Sequence, residues 1–354
     1  MALALSLGRR GLGRVWPNPA VGCVIVKDGQ IVGRARTADG GRPHAEAAAL
    51  AQAGAAARGA TVYVTLEPCA HHGKTPPCSD ALVRAGVARV VVAIGDPHPK
   101  VAGKGFAKLR AAGITVDEGV LADQARQDQA GFLATQTLGR PFVTLKIAGT
   151  LDGRIATASG ESQWITGPQA RRAVHMMRAR HDAVMVGAGT VRADDPSLTV
   201  RGLGITHQPV RVVVSRTMKI PATGQLARTA RDTPVWLCHG ADADVTSWAD
   251  QGAVSLPCKL DGRQVDLTSV LATLATRGIT RVFCEGGSML AASLLNTGAV
   301  DELVVFSAGM AIGAGGTPSL AAMGVDRLDH TPRFKLHNVS QIGADICHIW
   351  RRNF

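Results

Sequence analysis

The sequence predicts an α/β protein built from two domains. Its 354 residues are more than a single hydrophobic core usually serves, so two domains are the expected number. Short apolar strands alternate with helices along most of the chain, a pattern typical of a doubly wound sheet. Gly139-Arg140-Pro141 breaks a polar helix just before a fresh strand. We therefore expect one domain at residues 1–140 and a second at 141–354.

The elements of the first half follow from periodicity and turn residues. Lys27-Asp28-Gly29 is a hairpin signal between two apolar strands, and the run from Glu46 to Gln52 is rich in strong helix formers. The stretch from Thr61 to Leu66 alternates like a half-buried strand. The predicted order is helix 1–7, strands 21–26 and 30–33, a helix opening at 44, strand 61–66, helix 79–85, strand 89–94, helix 104–111, strand 115–118 and helix 123–138.

The second half opens with the predicted strand 142–148. Pro168 suits the first turn of a helix over 168–180, and a strand over 183–186 runs into the small residues Gly187-Ala188-Gly189-Thr190. Small residues directly after a strand allow the backbone of the chain to approach a ligand. Further strands are expected at 210–215 and 282–285. The last of these runs into Gly286-Gly287 and a helix that ends at Leu295, which is a suitable arrangement for a phosphate.

Composition limits the classes of partner and compartment. The net charge is +12, but aromatic residues are 4% of the chain and the basic residues are dispersed, so nucleic acid is not the expected partner. The positive charge suits anionic small substrates and a phosphorylated cofactor about as well as it suits nucleic acid, and we expect much of it to be ordinary solvated surface. The 46% apolar content without a long apolar run predicts a soluble protein with no membrane partner. Seven scattered cysteines argue against a disulfide framework and indicate the reducing cytoplasm.

The most informative motif is Pro43-His44-Ala45-Glu46. Two residues spaced by one on a helix point in different directions, so His44 and Glu46 share a site only if the histidine lies at the helix start. Pro43 disfavours helical geometry at the residue before it, which places His44 at that start. The histidine then reaches a metal from the helix entry, and Glu46 reaches the water beside it.

Two cysteines complete the predicted metal site. Cys69 follows Glu67-Pro68 at the carboxyl end of a strand, where open α/β sheets bind ligands, and Cys78 lies near the start of the next helix. Each part alone has a plainer interpretation, since His-Ala-Glu is a common helix start and paired cysteines are often buried or disulfide-bonded. Together they match the H-x-E and P-C-x-x-C pattern of zinc deaminases, except for a longer gap between the cysteines. His71, His72 and Cys23 are alternative ligands, but a catalytic zinc keeps its fourth position open.

These residues carry a resemblance to a known family. Asn18-Pro19, His44-Ala45-Glu46 and the long loop from Cys69 to Cys78 resemble the deaminase half of the bifunctional riboflavin biosynthesis deaminase/reductases. The blocks Gly160–Thr166, Gly189–Pro196 and Glu285-Gly286-Gly287 are similar to the reductase half. The resemblance implies a cytidine-deaminase-like α/β/α domain followed by a dihydrofolate-reductase-like α/β domain, with one Zn²⁺ in the first and NADPH bound to the second.

The resemblance also implies individual roles. Zinc falls on His44, Cys69 and Cys78, catalysis on Glu46, and substrate contacts of the deaminase on Asn18, His71 and Lys74. Many relatives carry a histidine near the position of Thr37, so the resemblance assigns no substrate contact to this threonine. Implied NADPH contacts are Ala148, Trp164, Thr190, Asp194, Ser215, Gly287, Ser288, Met289, Leu290, Ala291, Ala292 and Ser293. Implied substrate contacts of the reductase are Lys146, Ser162, Arg178, Leu198, Arg201 and Glu285.

The implied reactions are hydrolytic deamination of a phosphoribosylaminopyrimidine and NADPH-dependent reduction of its ribose to a ribityl chain. Glu46 would take the proton of the attacking water and return it to ammonia. Asp194 and Lys146 are candidate proton donors for the reduction. Two other hypotheses compete: a nucleoside or tRNA deaminase with a non-reducing binding module, and a noncatalytic zinc-stabilised scaffold. The sequence leaves the oligomeric state open, a homo-oligomer included.

Overall fold

A computed structural model describes residues 1–73, 76–98 and 101–352, and the chain divides into two compact units, Met1–Arg140 and Pro141–Phe354. The helices of the first unit are α1 (Ala2–Arg9), α2 (Ala45–Ala53), α3 (Cys78–Ala85), α4 (Lys104–Ala111), α5 (Ala122–Asp128) and α6 (Ala130–Leu138). Its strands are β1 (Gly22–Lys27), β2 (Gln30–Arg36), β3 (Thr61–Val64), β4 (Arg89–Val92) and β5 (Thr115–Asp117).

The five strands of the first unit form one sheet in the order β2-β1-β3-β4-β5. The β1 strand pairs antiparallel with β2 and β3, whereas β3, β4 and β5 run parallel to one another. The carboxyl ends of β3 and β4 therefore meet at one edge of the sheet. The central strands contribute apolar side chains to the core, where Ile25, Val62, Val64 and Val90 are fully buried. This edge is where the candidate site of the unit lies.

The single helix predicted over 123–138 is wrong, because the structure breaks it into α5 and α6 at Gln129. Gln129 adopts φ −90° and ψ 4°, and its side chain is buried with Nε2 donating to the carbonyl oxygen of Ala20 at 2.8 Å. A buried amide needs such a partner, since an unpaired one would be costly. Ala20 lies 109 residues from Gln129 in the sequence, so a local sequence pattern cannot predict this contact.

The second unit contains the helices α7 (Pro168–Ala179), α8 (Ala188–Asp194), α9 (Gln225–Arg228), α10 (Thr246–Asp250), α11 (Leu267–Thr276) and α12 (Ser288–Asn296). Its strands are β6 (Phe142–Thr150), β7 (Arg154–Ala156), β8 (Ala183–Gly187), β9 (Val210–Val214), β10 (Val235–His239), β11 (Val254–Pro257), β12 (Leu260–Asp261), β13 (Gln264–Val265), β14 (Arg281–Cys284), β15 (Glu302–Ala308), β16 (Thr317–Pro318), β17 (Lys335–Ile342) and β18 (Asp345–Arg351).

Nine of these strands form a large sheet in the order β11-β10-β9-β8-β14-β6-β15-β18-β17. The first seven strands in this order, which are β11, β10, β9, β8, β14, β6 and β15, run parallel to one another. The last two strands, β18 and β17, add an antiparallel edge. The carboxyl ends of β6, β8 and β14 lie side by side in its middle. The small residues that follow β8 form the first turn of helix α8, so they approach the site from a helix start.

A buried carboxylate ties the central strands together at their opposite ends. Asp182 is 2% exposed, and its Oδ2 accepts hydrogen bonds from the backbone N–H groups of Thr280 and Arg281 at 2.7 and 2.9 Å. The hydroxyl of Thr280 donates to the same oxygen at 2.6 Å. These bonds satisfy the charge and fix the loop before β14 against the loop before β8.

In the described ranges of the chain, none of the helices combines the length and the apolar character needed to span a bilayer.

Candidate active sites

Three predicted ligands meet at the sheet edge of the first unit. The Nδ1 atom of His44 lies 3.7 Å from Sγ of Cys69 and 3.5 Å from Sγ of Cys78. The three ligand atoms are all within 4.8 Å of one another, and they form the metal-binding cluster found in the described part of the chain. Residues separated by 25 and 34 positions in sequence are thus brought together by the fold.

Local backbone geometry aims each ligand at the cluster. His44 is the extended N-cap residue of α2, at φ −67° and ψ 156°, so its side chain leaves the helix axis while Glu46 lies in the first turn. Cys78 is the first residue of α3, and its backbone N–H donates to Sγ of Cys69 at 3.3 Å. Thiolate charge is favoured there, because the N–H groups of a helix start point at it.

The donor set and its spacing fit zinc. Tetrahedral zinc, with bonds of about 2.3 Å to sulfur and about 2.0 Å to nitrogen, separates a ligand nitrogen from a ligand sulfur by about 3.5 Å. The two nitrogen–sulfur distances of the cluster are 3.7 and 3.5 Å. One imidazole and two thiols leave a fourth position open, which is the arrangement of catalytic rather than structural zinc sites.

The environment shifts the proton affinities of the cluster. The hydrogen bond from the Cys78 thiol lowers the pKa of Cys69 to about 4, with further help from His44, and the pKa of Cys78 is raised in return. Burial, and then the negative charge on Cys69, raises the pKa of Glu46 to about 7. Glu46 is 4% exposed. A carboxyl group with a pKa near neutrality is suited to take up and return a proton.

A cavity of ≈ 250 Å³ opens beside the cluster. Asn18 and His71 line it together with His44, Glu46 and Cys69, while Lys74 lies outside the described residues. Gly41 is required here, because it has φ +85° and a Cβ would lie 2.0 Å from the Asn18 amide nitrogen. Sequence reasoning missed further lining residues, among them Arg42, Asp96, His98, Phe132 and Gln136.

Thr37 also borders this cavity, but its hydroxyl is engaged in holding the backbone. The oxygen accepts from the N–H of Val21 at 3.1 Å and donates to the carbonyl oxygen of Pro19 at 3.0 Å, and the residue is 2% exposed. Asp96 and His98 come four and six residues after the last residue of β4, and polar residues beyond the end of a parallel strand next to Cys69 were the available signal for them.

The second unit has a larger cavity of ≈ 540 Å³ at the carboxyl ends of its central strands. Ten of the predicted residues line it and are therefore brought together by the fold: Lys146, Ala148, Ser162, Trp164, Arg178, Thr190, Asp194, Leu198, Arg201 and Glu285. The structure places the six predicted substrate residues and four of the twelve predicted cofactor residues around one space, an arrangement that suits a transfer between two bound molecules.

An ion pair forms the floor of this cavity. Arg178 Nε and Nη2 donate to the two carboxylate oxygens of Glu285 at 2.5 and 3.1 Å, and Lys146 Nζ lies 4.0 Å from Oε2. Burial alone would raise the pKa of Glu285, but the charge and hydrogen bonds of Arg178 outweigh it and lower that pKa. Burial lowers the pKa of Lys146 despite the carboxylate beside it, and burial raises the pKa of Asp194.

The remaining predicted cofactor residues do not line this cavity. Ser215 is buried, and its Oγ accepts from the N–H of Met218 at 3.2 Å. Gly287 reaches the cavity wall indirectly, since its N–H donates to Oγ1 of Thr190 at 3.2 Å. Ser288, Met289, Leu290, Ala291, Ala292 and Ser293 follow in helix α12, where Ala291 and Ala292 face the core. Met289 is 69% exposed.

Sequence reasoning also missed two nitrogen-bearing side chains on helix α7, Arg171 and His175. Arg171 lies over the ring of Trp164, 4.6 Å from its centroid, and Nδ1 of His175 donates to the carbonyl oxygen of Thr199 at 3.1 Å. Burial lowers the pKa of His175, and Arg178 and Arg201 lower it further. Because Arg171, His175 and Arg178 are spaced four and three residues apart, helical periodicity was the signal that pointed from Arg178 to the other two.

Two protein-family models match the chain. The model described as the cytidine and deoxycytidylate deaminase zinc-binding region matches residues 1–94, and the model described as the RibD C-terminal domain matches residues 141–348. The first matched region contains His44, Glu46, Cys69 and Cys78. The second contains the ten predicted site residues that line the larger cavity.

Curated relatives and solved structures match over nearly the whole chain. The riboflavin biosynthesis protein RibD of Escherichia coli is 42% identical over 98% of this chain and 97% of its own length, and that of Aquifex aeolicus is 40% identical over 99% and 97%. The structure of Acinetobacter baumannii RibD, form 1, superposes with a TM-score of 0.90 at 41% identity, covering 100% of this chain and 98% of that one.

A Thermotoga maritima structure described as a diaminohydroxyphosphoribosylaminopyrimidine deaminase/5-amino-6-(5-phosphoribosylamino)uracil reductase gives a TM-score of 0.87 at 36% identity, over 99% of this chain and 97% of that one. These matches confirm the predicted order of a cytidine-deaminase-like domain followed by a dihydrofolate-reductase-like domain. A deaminase joined to an unrelated binding module would match these proteins over its first domain alone, whereas the matches cover nearly the whole chain. The chain belongs to the RibD family of riboflavin biosynthesis proteins and is a bifunctional deaminase and reductase.

Proposed function

We propose that the first unit deaminates 2,5-diamino-6-(5-phosphoribosylamino)pyrimidin-4-one and that the second reduces the ribose of the product to a ribityl chain with NADPH. The observation that carries the proposal is the cluster of His44, Cys69 and Cys78 with the buried Glu46 beside it. This substrate is the one that the description of the Thermotoga maritima relative indicates. The seven cysteines are free thiols, which supports a reducing cytoplasm as the location.

In the deaminase site, His44 Nδ1 and the Sγ atoms of Cys69 and Cys78 would hold the zinc ion. Zinc, when bound, supplies a Lewis acid that activates water at the open position. Glu46 accepts the proton of the attacking water at a carboxylate oxygen and returns it to the departing ammonia. Burial holds the pKa of Glu46 above that of an ordinary carboxyl group, which suits a residue that must also give the proton back. Asn18, His71 and Lys74 are proposed to hold the substrate.

In the reductase site, NADPH would supply hydride to C1 of the sugar when bound. Gly287 is the N-cap of α12, and the backbone N–H groups at that helix start support binding of a phosphorylated cofactor. Trp164 is 66% exposed and offers a flat wall. The cofactor contacts proposed are Ala148, Trp164, Thr190, Asp194, Ser215 and 287–293.

The substrate of the reductase is proposed to lie on Lys146, Ser162, Arg178, Leu198, Arg201 and Glu285. Glu285 holds the Arg178 guanidinium in a fixed orientation by two hydrogen bonds, and Arg201 contributes a second cation that contacts Ser197. Cations of this kind recognise phosphate groups. Lys146 and Asp194 lie at the same cavity and remain the proposed proton donors, because burial brings the pKa of each closer to neutrality.

The test is the variant Glu46→Gln, with Glu118→Gln as the matched control. Glu118 is an exposed carboxylate of the same unit, paired with Arg110. We expect Glu46→Gln to keep one zinc per chain, to lose ammonia release, and to oxidise NADPH normally when supplied with the deaminated intermediate. Glu118→Gln keeps both activities. Ammonia release by Glu46→Gln at the wild-type rate contradicts the proposed role of Glu46, and NADPH oxidation without the intermediate contradicts the proposed substrate.

A further inference from the structure

We propose that Glu67 is a positioning residue of the deaminase site, which holds the cavity wall formed by Asp96 and His98 in register with the metal ligands. The inference rests on the proposed function of the first unit, because it concerns how the same cavity receives its substrate. Glu67 lies two residues before Cys69 and is 3% exposed. It is not among the clustered ligands.

The Glu67 carboxylate collects backbone N–H groups from two separate segments. Oε2 accepts from Asp96 and Gly103 at 3.2 and 3.0 Å, and Oε1 accepts from Gly105 and Phe106 at 2.9 and 3.3 Å. The backbone N–H of Glu67 itself donates to the carbonyl oxygen of Ile94 at 3.0 Å. The end of β4 and the start of α4 are therefore both tied to the residue that leads into Cys69.

Close packing reinforces these bonds at the start of α4. A Cβ atom on Gly105 would lie 2.2 Å from the carbonyl oxygen of Pro68 and 3.0 Å from Oε1 of Glu67. Only a glycine allows the helix backbone to approach so closely. Helix α4 is consequently seated directly against Glu67 and Pro68, immediately before the first cysteine ligand.

The segment that Glu67 holds carries part of the cavity wall. The backbone N–H of His98 donates to Oδ1 of Asp96 at 2.8 Å, so the two residues move together. The His98 ring stacks on His71, with centroids 6.0 Å apart and planes inclined by 18°. Asp96, His98 and His71 all line the cavity of His44 and Glu46. Displacing this segment would therefore displace the surface on which a pyrimidine substrate rests.

The chemistry of the four bonds requires a carboxylate. Both oxygens of a carboxylate accept hydrogen bonds, and acceptors with a full charge bind backbone N–H groups more strongly. A glutamine of the same shape would keep one oxygen and turn an NH₂ group toward two N–H donors. Two bonds would be lost on one side, and the attached segment would be free to shift.

The experiment compares Glu67→Gln and Gly105→Ala with two controls in the full-length protein. Gly105→Ala disturbs the same contact from the helix side and leaves the carboxylate intact. Ala107→Gly loosens α4 at an exposed position, and Asp182→Asn removes the comparable buried carboxylate of the second unit. Zinc content, KM and kcat of ammonia release, NADPH oxidation on supplied intermediate, and thermal unfolding are measured for each.

We expect Glu67→Gln and Gly105→Ala to raise the KM of ammonia release by about tenfold or more, with zinc content and NADPH oxidation unchanged. The controls lower the unfolding temperature and leave that KM as it is, because loss of stability alone does not alter the affinity of the folded molecules. If Glu67→Gln does not fold, Gly105→Ala carries the same comparison.

The inference is overturned if both variants fold with zinc bound and show the wild-type KM, or if both lose zinc, since Glu67 would then act on the metal ligands and not on the wall. Absence of ammonia release from the zinc-loaded wild-type protein is a different result. It defeats the proposed deamination itself, and the inference about Glu67 with it.

Discussion

Removing Arg178 should destabilise the second unit in a way that depends on pH. Arg178→Met keeps the length and apolar stem of the side chain but removes the guanidinium that binds both oxygens of Glu285. The two side chains are 12% and 9% exposed, so the carboxylate would remain buried without its main partner. Loss of one member of a buried ion pair typically costs about 3–5 kcal/mol.

Lys146 limits that cost. Its Nζ lies 4.0 Å from Oε2 of Glu285 and supplies a remaining positive charge. We therefore expect the lower end of the range, about 3 kcal/mol, for Arg178→Met at neutral pH. The double variant Arg178→Met with Glu285→Leu should recover most of this loss, because an apolar pair removes the unpaired charge.

The sign of the pH dependence follows from the pKa of Glu285. In the wild type this pKa lies below its ordinary value of 4.5, so the stabilisation is present above that pH and is lost as pH falls through the folded-state pKa. Without Arg178 we expect burial, the largest single cause acting on this carboxyl group, to outweigh Lys146 and to raise the folded-state pKa above 4.5. The variant then loses stability as pH rises, and its deficit relative to wild type grows from acid to alkaline pH.

Urea unfolding followed by tryptophan fluorescence at about pH 4.5 and about pH 8 measures this deficit. Arg172→Met is the matched control, since Arg172 is an exposed residue of the same helix whose Nη1 donates to the carbonyl oxygen of Gly202. The reasoning is refuted if the deficit of Arg178→Met is equal at both pH values, or if it does not exceed that of Arg172→Met.

Three further predictions concern other parts of the chain. Chelation of the metal, or Cys69→Ser, should abolish ammonia release and spare NADPH oxidation on supplied intermediate; equal loss of both would contradict independent sites. Burial lowers the pKa of His181 from 6.5 to about 4. The folded protein should therefore lose on the order of 3 kcal/mol of unfolding free energy as the pH falls from 6.5 to about 4, because the unfolded chain binds the proton first. His181→Gln should remove this pH dependence of the free energy measured by urea unfolding. Gly22→Ala should lower the unfolding free energy by about 1–3 kcal/mol or more, because its Cβ would lie 1.8 Å from the Ala4 carbonyl oxygen. Gly189→Ala has open space around its Cβ and should leave the unfolding free energy unchanged. Similar unfolding curves for the two variants would argue against this packing.

The metal cluster could be predicted because its signals are local. Pro43 fixes where α2 begins, and the end of β3 fixes where Cys69 lies. The positions of these ligands relative to their helix and strand can therefore be predicted from a few neighbouring residues. The wall of the same cavity was not predicted. Asp96 and His98 read as an ordinary turn until β4 is paired with β3, and only that parallel pairing puts them beside Cys69.

The second site depends on the fold to a greater degree. Lys146, Arg178 and Glu285 come from β6, α7 and the end of β14, and no sequence spacing relates them. Their assignment came from family resemblance, and the structure supplies the physical link in the form of one ion pair. The break at Gln129 was unpredictable for the same reason, since a distant carbonyl group decides it.

The way in which the two cysteine ligands are joined has a consequence for variation within such enzymes. Besides the Cys78 N–H bond to Sγ of Cys69, the backbone and hydroxyl of Ser79 both donate to the Cys69 carbonyl oxygen, at 3.2 and 3.1 Å. These three bonds clamp the ends of the intervening stretch directly to each other. We therefore expect changes in its length and composition to leave both sulfur atoms in place, so that the stretch can adapt to a new substrate while the metal chemistry is preserved.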